Sequence, residues 1–258
     1  MNILEKILSA KRLEIGEAKI TLPTGDLRDR SLQRPGPPPF AAALRSAPMG
    51  LIAEVKRKSP SAGVIRDPFV PADIAKAYAE AGAQAVSCLM DREFFGGGAE
   101  DFAEVRGAVT LPMLYKEFVV DTWQIWQARD LGASAVLLIA AALPETLLSG
   151  LMAEAELAGL EVLMEVHNAD ELDVALRLDC DLIGINNRNL KTFETRLETT
   201  LSLLPQIPED VTRISESGIR TAADVRRLQE AGAQGILVGE QLLRQPDPAA
   251  AVRELMQR

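Results

Sequence analysis

Hydrophobic and polar positions along the chain change rhythm at residue 51. Before it, Ile3, Leu4, Ile7 and Leu8 recur at helical spacing among lysines and glutamates, which predicts an amphipathic helix over residues 2–19. Residues 21–50 are rich in proline and arginine, and Pro35-Gly36-Pro37-Pro38-Pro39 excludes regular structure there. This stretch has too few apolar residues for a core of its own, so residues 1–50 are expected to be a helical extension packed on the rest of the chain. From residue 51 onward, short apolar runs alternate with amphipathic ones. Strands are predicted over 51–56, 84–90, 112–116, 134–139, 160–166, 181–186, 211–216 and 234–239. Helices are predicted over 71–82, 99–107, 122–131, 144–158, 168–178, 198–204, 221–231 and 247–257. Gly82 closes one helical run and Gly132, Gly159 and Gly232 stand just past three others, where a left-handed cap ends a helix. Strands alternating with helices imply parallel βαβ units, and eight such units are the number in a closed (β/α)8 TIM barrel spanning residues 51–258. An open doubly wound sheet is the alternative, but no G-x-G-x-x-G opens a helix.

Polar residues interrupt this pattern at one recurring place, the C-terminal end of a strand, where a barrel builds its active site. Glu54 and Lys56 follow the first apolar run, two apart and so on one face of a strand. Lys116 ends the third strand, Glu165 the fifth, Asn186 and Arg188 the sixth, and Glu216 and Ser217 the seventh. Any one of these could be a rim salt bridge. Clustered opposite charges in a low-dielectric mouth shift one another's pKa, which suits acid–base work. Ser217-Gly218 and Gly239-Glu240 close strands seven and eight, where backbone N–H groups of a barrel commonly hold a phosphate. Phe94, Phe95 and Phe118 lie just past strand ends, placed equally well for a ligand wall or for packing. Trp123 and Trp126 read as packing, and Asp91 and Arg92 as rim residues. The single histidine, His167, has no Asp or Cys beside it and reads as neither metal ligand nor triad member.

Composition narrows the partners. The chain has 258 residues, a formal net charge of −9 and 25% charged residues, a balance that disfavours nucleic acid. The N-terminal segment is too charged for a signal peptide, and no apolar run reaches the roughly 18 residues of a membrane span. Cys88 and Cys180 lie in apolar runs and read as reduced thiols of a cytoplasmic protein. The length leaves no room for a second barrel.

Seven stretches carry a specific resemblance. They are IAEVKRKSPS at 52–61, FFGGG at 94–98, YKEF at 115–118, LMEVHN at 163–168, IGINNRNLKTFE at 183–194, SESGI at 215–219 and LVGE at 237–240. In this order they resemble the indole-3-glycerol phosphate synthases. The resemblance implies a barrel enzyme that converts 1-(2-carboxyphenylamino)-1-deoxyribulose 5-phosphate to indole-3-glycerol phosphate, CO2 and water, with no metal or organic cofactor. It implies a small phosphorylated substrate; with charge and hydropathy giving no sign of a nucleic-acid or membrane partner, a monomer is expected, with a homodimer as the alternative. Lys116 matches the family's general acid, Lys56 a lysine contacting substrate carboxylate and phosphate, and Glu165 the carboxylate that stabilises an iminium-like intermediate. Glu54 matches a residue that orients the lysines, and Asn186, Glu216 and Ser217 match groups that hold the sugar. Ser59, Ser217, Gly218, Gly239 and Glu240 match the phosphate site, and Arg188 a further substrate contact. Pro60, Phe95, Phe118, Leu137 and Leu190 match an apolar slot for the anthranilate ring.

Tyr115 and Glu117 depart from the family's usual Arg and Asp, and Gly98 from a common Ser. Tyr115 is expected to face the helix layer, Glu117 to alter a hydrogen bond beside the acid, and Gly98 to loosen its loop. The acid itself is expected to have a lowered pKa from burial or a neighbouring lysine. Two other activities fit the same strand ends: a Schiff-base aldolase using Lys56 or Lys116, and a catalytically silent phosphate-binding barrel.

Overall fold

The computed structural model describes residues 3–190 and 192–257. Residue 2 of the predicted first helix and Lys191 of the INNRNLK stretch lie outside them. Eight parallel strands close into a barrel: β1 Gly50–Val55, β2 Ala85–Leu89, β3 Met113–Lys116, β4 Ala135–Ile139, β5 Glu161–Val166, β6 Leu182–Asn186, β7 Thr212–Glu216 and β8 Gly235–Val238. β8 pairs with β1 through Ile52↔Leu237, and β1 with β2 through Ile52↔Ala85, which closes the ring and excludes the open sheet.

Alternation along each strand sorts side chains between two apolar layers. Ile52, Leu114, Leu163, Leu182, Ile214 and Leu237 point inward and fill the barrel. Residues of opposite parity, such as Tyr115, Val136 and Met164, pack outward against the helices. Tyr115 meets Phe102 and donates from its hydroxyl to Gln127, as its parity predicts. Glu54, Lys116, Glu165 and Glu216 each lie two residues beyond one of the inward apolar positions, so the pleat carries them into the barrel mouth.

Twelve α-helices occur among the described residues, and three precede the barrel: α1 Ile3–Thr21, α2 Thr24–Ser31 and α3 Phe40–Arg45. The last two were not predicted within residues 21–50, while Pro35-Gly36-Pro37-Pro38-Pro39 between them is irregular, as expected. Proline supports them rather than excluding them, since Pro23 and Pro39 stand immediately before their first turns. α3 plugs the bottom of the barrel with Phe40 and Leu44, both fully buried. Its start is fixed by the inward Glu161 of β5, which accepts from the Phe40 and Ala41 N–H groups at 2.5 and 2.9 Å.

α1 lies against the other end, the mouth. Its buried stripe is Ile7, Leu8, Lys11 and Ile15. Lys11 Nζ is fully buried and lies 2.9 Å from Glu117, 3.2 Å from Asp91 and 2.7 Å from Glu14. Asp91 is therefore not a rim residue. Its other oxygen, Oδ1, accepts from the Phe94 and Phe95 N–H groups. Glu117, the departure from Asp, spans from Lys11 to the Phe118 N–H.

The remaining helices alternate with the strands: α4 Pro71–Glu80, α5 Ala99–Ala108, α6 Thr122–Leu131, α7 Glu145–Leu157, α8 Ala169–Arg177, α9 Glu198–Leu203, α10 Ala222–Glu230, and α11 Glu240–Leu243 with α12 Pro248–Met256 after β8. The four cap glycines all have positive φ. Trp123 and Trp126 are buried on α6, and Cys88 and Cys180 are buried and free. A short hairpin the sequence did not suggest, Lys58–Ser59 with Gly63–Val64, shapes the loop after β1. No described helix is long and apolar enough to cross a membrane.

Candidate active site

The barrel mouth encloses a cavity of about 650 Å³. All seventeen residues that the motifs single out as site residues line it, drawn from the strands and the loops after them around the whole ring. Strand register explains how distant stretches meet. Lys116 pairs with Leu89, Glu165 with both Ile139 and Gly184, and Asn186 with Glu216, so strand ends stack into one rim.

At its floor, Lys116 Nζ lies 2.6 Å from Glu216 Oε2 and 3.2 Å from Glu165 Oε2. Lys56 Nζ lies 2.6 Å from Glu54 Oε1. Two glycines make room for these carboxylates. A Cβ on Gly184 would stand 2.3 Å from Glu216 Oε1, and one on Gly239 would stand 2.4 Å from Glu54 Oε1.

Burial, the largest influence on Lys116, pulls its pKa down. Glu216, Glu165 and Glu54 together outweigh that and raise it above the ordinary lysine value. The expected lowering is thus corrected: three carboxylates surround the ammonium, and no second lysine dominates it. Burial raises Glu216 against the pull of Lys116, to about 7. Glu165 goes the other way. Lys116, His167 and Asn186 overcome its burial and hold it ionised, below the usual carboxylate range.

One wall is apolar. Phe95 and Phe118 meet at 6.1 Å between ring centroids, and Pro60, Leu137 and Leu190 extend this side. α1 adds Ile3, Leu4 and Ile7, lining residues that the motifs did not indicate. The opposite side is polar and built from turns. Ser217 adopts φ +66°, a strained value for a residue with a Cβ, followed by Gly218 at +78°. The buried Asn187 holds this turn, donating from Nδ2 to the Ser217 carbonyl and Ser215 Oγ while accepting twice from Thr200. Arg188 reaches across to Ser61 Oγ at 2.5 Å. Arg220 and Arg244 also line this side, and no motif pointed to them. Among the described residues no group of His, Cys, Asp or Glu is placed to hold a metal ion.

The indole-3-glycerol phosphate synthase family model matches residues 4–255. The chain belongs to the indole-3-glycerol phosphate synthase family. Indole-3-glycerol phosphate synthases from Polaromonas sp. and Albidiferax ferrireducens are 45% and 46% identical to it, each alignment covering 98% of both chains. Solved structures share the fold at low identity. The thiamine phosphate pyrophosphorylase of Pyrococcus furiosus aligns with TM-score 0.63 at 16% identity, over 83% of this chain and 96% of that one. A 3-hexulose-6-phosphate synthase aligns with TM-score 0.63 at 16% identity, over 81% and 99%. These two carry the barrel alone; the family rests on the sequence matches.

Proposed function

We propose that the family reaction, conversion of 1-(2-carboxyphenylamino)-1-deoxyribulose 5-phosphate to indole-3-glycerol phosphate, CO2 and water, runs in this mouth with Lys116 as its general acid. The observation that carries the assignment is the Lys116 ammonium, buried at the cavity floor and held protonated between Glu216 and Glu165. A group must be charged to donate, and this one stays so across the neutral range.

The apolar side formed by Phe95, Phe118, Pro60, Leu137 and Leu190 takes the anthranilate ring, and its loss of water favours departure of a carboxylate as CO2. The turn side takes the phosphate through Ser59, Ser217, Gly218, Gly239 and the Glu240 N–H, with Arg188, Arg220 and Arg244 supplying positive charge. A substrate held at both ends has its ketone over the floor.

The ring carbon bearing the carboxylate attacks the ketone carbon. The new bond forms as the carbonyl oxygen takes a proton from Lys116, and the ring nitrogen becomes iminium-like. CO2 leaves, and its bonding pair neutralises that charge. Lys56 then protonates the remaining hydroxyl, which departs as water, and Glu165 removes the last proton to give the indole. Glu165 is ionised before substrate arrives, as a base must be. Glu54, 2.6 Å from Lys56, orients that lysine, and Asn186, Glu216 and Ser217 hold the sugar hydroxyls. Residues 1–50 and the barrel act as one unit, because α1 supplies cavity wall at Ile3, Leu4 and Ile7. The substrate is a small phosphorylated molecule, and the protein works as a cytoplasmic monomer.

Incubation with the substrate tests the reading. Indole fluorescence should rise in step with CO2 release. Tight binding without product would instead establish a silent barrel.

A further inference from the structure

His167 stands just past the end of β5, in a place the reaction does not use. Its Nε2 lies 3.2 Å from Glu165 Oε1, close enough for a charge contact but not aligned as a hydrogen bond, and its Nδ1 lies 2.9 Å from Glu171 Oε2 at the start of α8. Only 9% of the imidazole is exposed. A neutral ring offers one donor and one acceptor, whereas an imidazolium can donate toward both carboxylates. Glu171 cannot turn away. Its Oε2 also accepts from the His167 N–H at 2.8 Å, its Oε1 accepts from Asn168 Nδ2 at 2.7 Å, and its own N–H donates to Asn168 Oδ1 at 3.0 Å.

From the loop after β6, Glu194 and Arg196 share the small cavity beside the ring, but they pair with each other at 2.6 Å. The charged groups that determine the ring's state are therefore Glu165 and Glu171, with Lys116 on the far side of Glu165. In the mouth, three buried carboxylates, Glu54, Glu165 and Glu216, face two lysines. An imidazolium is the third positive charge.

We propose that His167 is a positioning residue: a permanent imidazolium, clamped by Glu171, that fixes the Glu165 carboxylate opposite Lys116 and keeps it ionised. Glu165 thereby has a cation on each side, Lys116 hydrogen-bonded to Oε2 and the imidazolium in charge contact with Oε1. The carboxylate is denied the rotation that a single contact would leave, and a misplacement of even about 1 Å costs roughly 100-fold in rate. The inference rests on the proposed role of Glu165, but the ring's charge is measurable without turnover.

His167 is the only histidine in the chain, so its imidazole Hε1 resonance needs no assignment. Its titration in the intact protein should have a midpoint near 10, far above the ordinary histidine value of about 6.5. Glu171→Gln should lower that midpoint by at least about one pH unit. His167→Asn should lose roughly 10- to 100-fold in kcat with KM within about threefold of the parent. Its acidic limb of kcat should move up by about one pH unit, because Glu165 loses a cation that favours its ionised form. A midpoint between about 6 and 7 in the parent, or a His167→Asn enzyme with an unmoved acidic limb, would overturn the proposal. Should His167→Asn fail to fold, the Glu171→Gln titration and pH profile decide alone. A parent that makes no indole overturns the functional reading instead, and the titration still tests the imidazolium.

Discussion

Replacing Lys11 with methionine keeps the length and apolar stem of the side chain and removes one buried charge. That charge is the hub between α1 and the ends of β2 and β3, touching Glu117 at 2.9 Å and Asp91 at 3.2 Å. Both carboxylates are 4% exposed or less, so neither gains water when the ammonium goes. Removing one member of a buried ion pair costs about 3–5 kcal/mol. For a chain of this size that is a fall of roughly 10 °C in Tm. The cost should depend on pH in a fixed direction. Burial pushes the Glu117 carboxyl up to about 7, against the opposing pull of Lys11. Without Lys11 it rises further, so protonation relieves the variant at low pH. The penalty should be smallest near about pH 5 and grow as pH rises above about 7, by roughly 1 kcal/mol at about pH 8. Equilibrium urea unfolding of parent and variant at both pH values measures it. The double variant Lys11→Met with Glu117→Gln should recover part of the loss, since one of the two stranded carboxylates is then gone and Asp91 remains. Asp91 and Glu117 also anchor the N–H groups of Phe95 and Phe118, so KM should rise as well. A penalty below about 1 kcal/mol, or one equal at the two pH values, would refute this view of the cluster.

Gly184→Ala forces Glu216 off its site, because the added Cβ would meet Oε1 at 2.3 Å; kcat should fall at least about tenfold, with stability down by about 1–3 kcal/mol in urea unfolding. Glu216→Gln should change the pH dependence of stability. Burial pushes this carboxyl up to about 7, so its contribution is present below its unfolded value of about 4.3 and lost as pH rises through about 7. The parent should therefore weaken relative to the variant between about pH 5 and 8 in the same assay. Arg220→Ser and Arg244→Ser should each raise KM for the phosphorylated substrate roughly tenfold while leaving the affinity of its dephosphorylated counterpart unchanged, as read by calorimetric titration.

Strand ends were legible because one rule generates them. Inward parity places Ile52, Leu114, Leu163 and Ile214 in the core and puts Glu54, Lys116, Glu165 and Glu216 at the mouth. Residues that work across the fold rather than along it were hidden. Lys11 pairs with Glu117, 106 positions away, and no local pattern links them. A signal did exist: Lys11 interrupts the apolar stripe Ile7–Ile15, where a charge needs a buried partner. α3 was masked by its prolines, although its Phe40 and Leu44 were the apolar residues a barrel floor requires. His167 was set aside for lack of a neighbouring Asp or Cys, while its partners were Glu165, two positions back, and Glu171, one helical turn ahead. The pKa of Lys116 depends on three carboxylates from three strands, a balance that no linear pattern displays.

The most direct test is the turnover of Lys116→Met at saturating substrate, measured beside the parent by indole fluorescence. With Lys116 as the general acid, kcat falls by roughly 1,000-fold or more while the substrate still binds within about tenfold of the parent affinity. A variant that retains kcat within about tenfold of the parent would contradict it, and the proton for ring closure would have to come from elsewhere in the mouth.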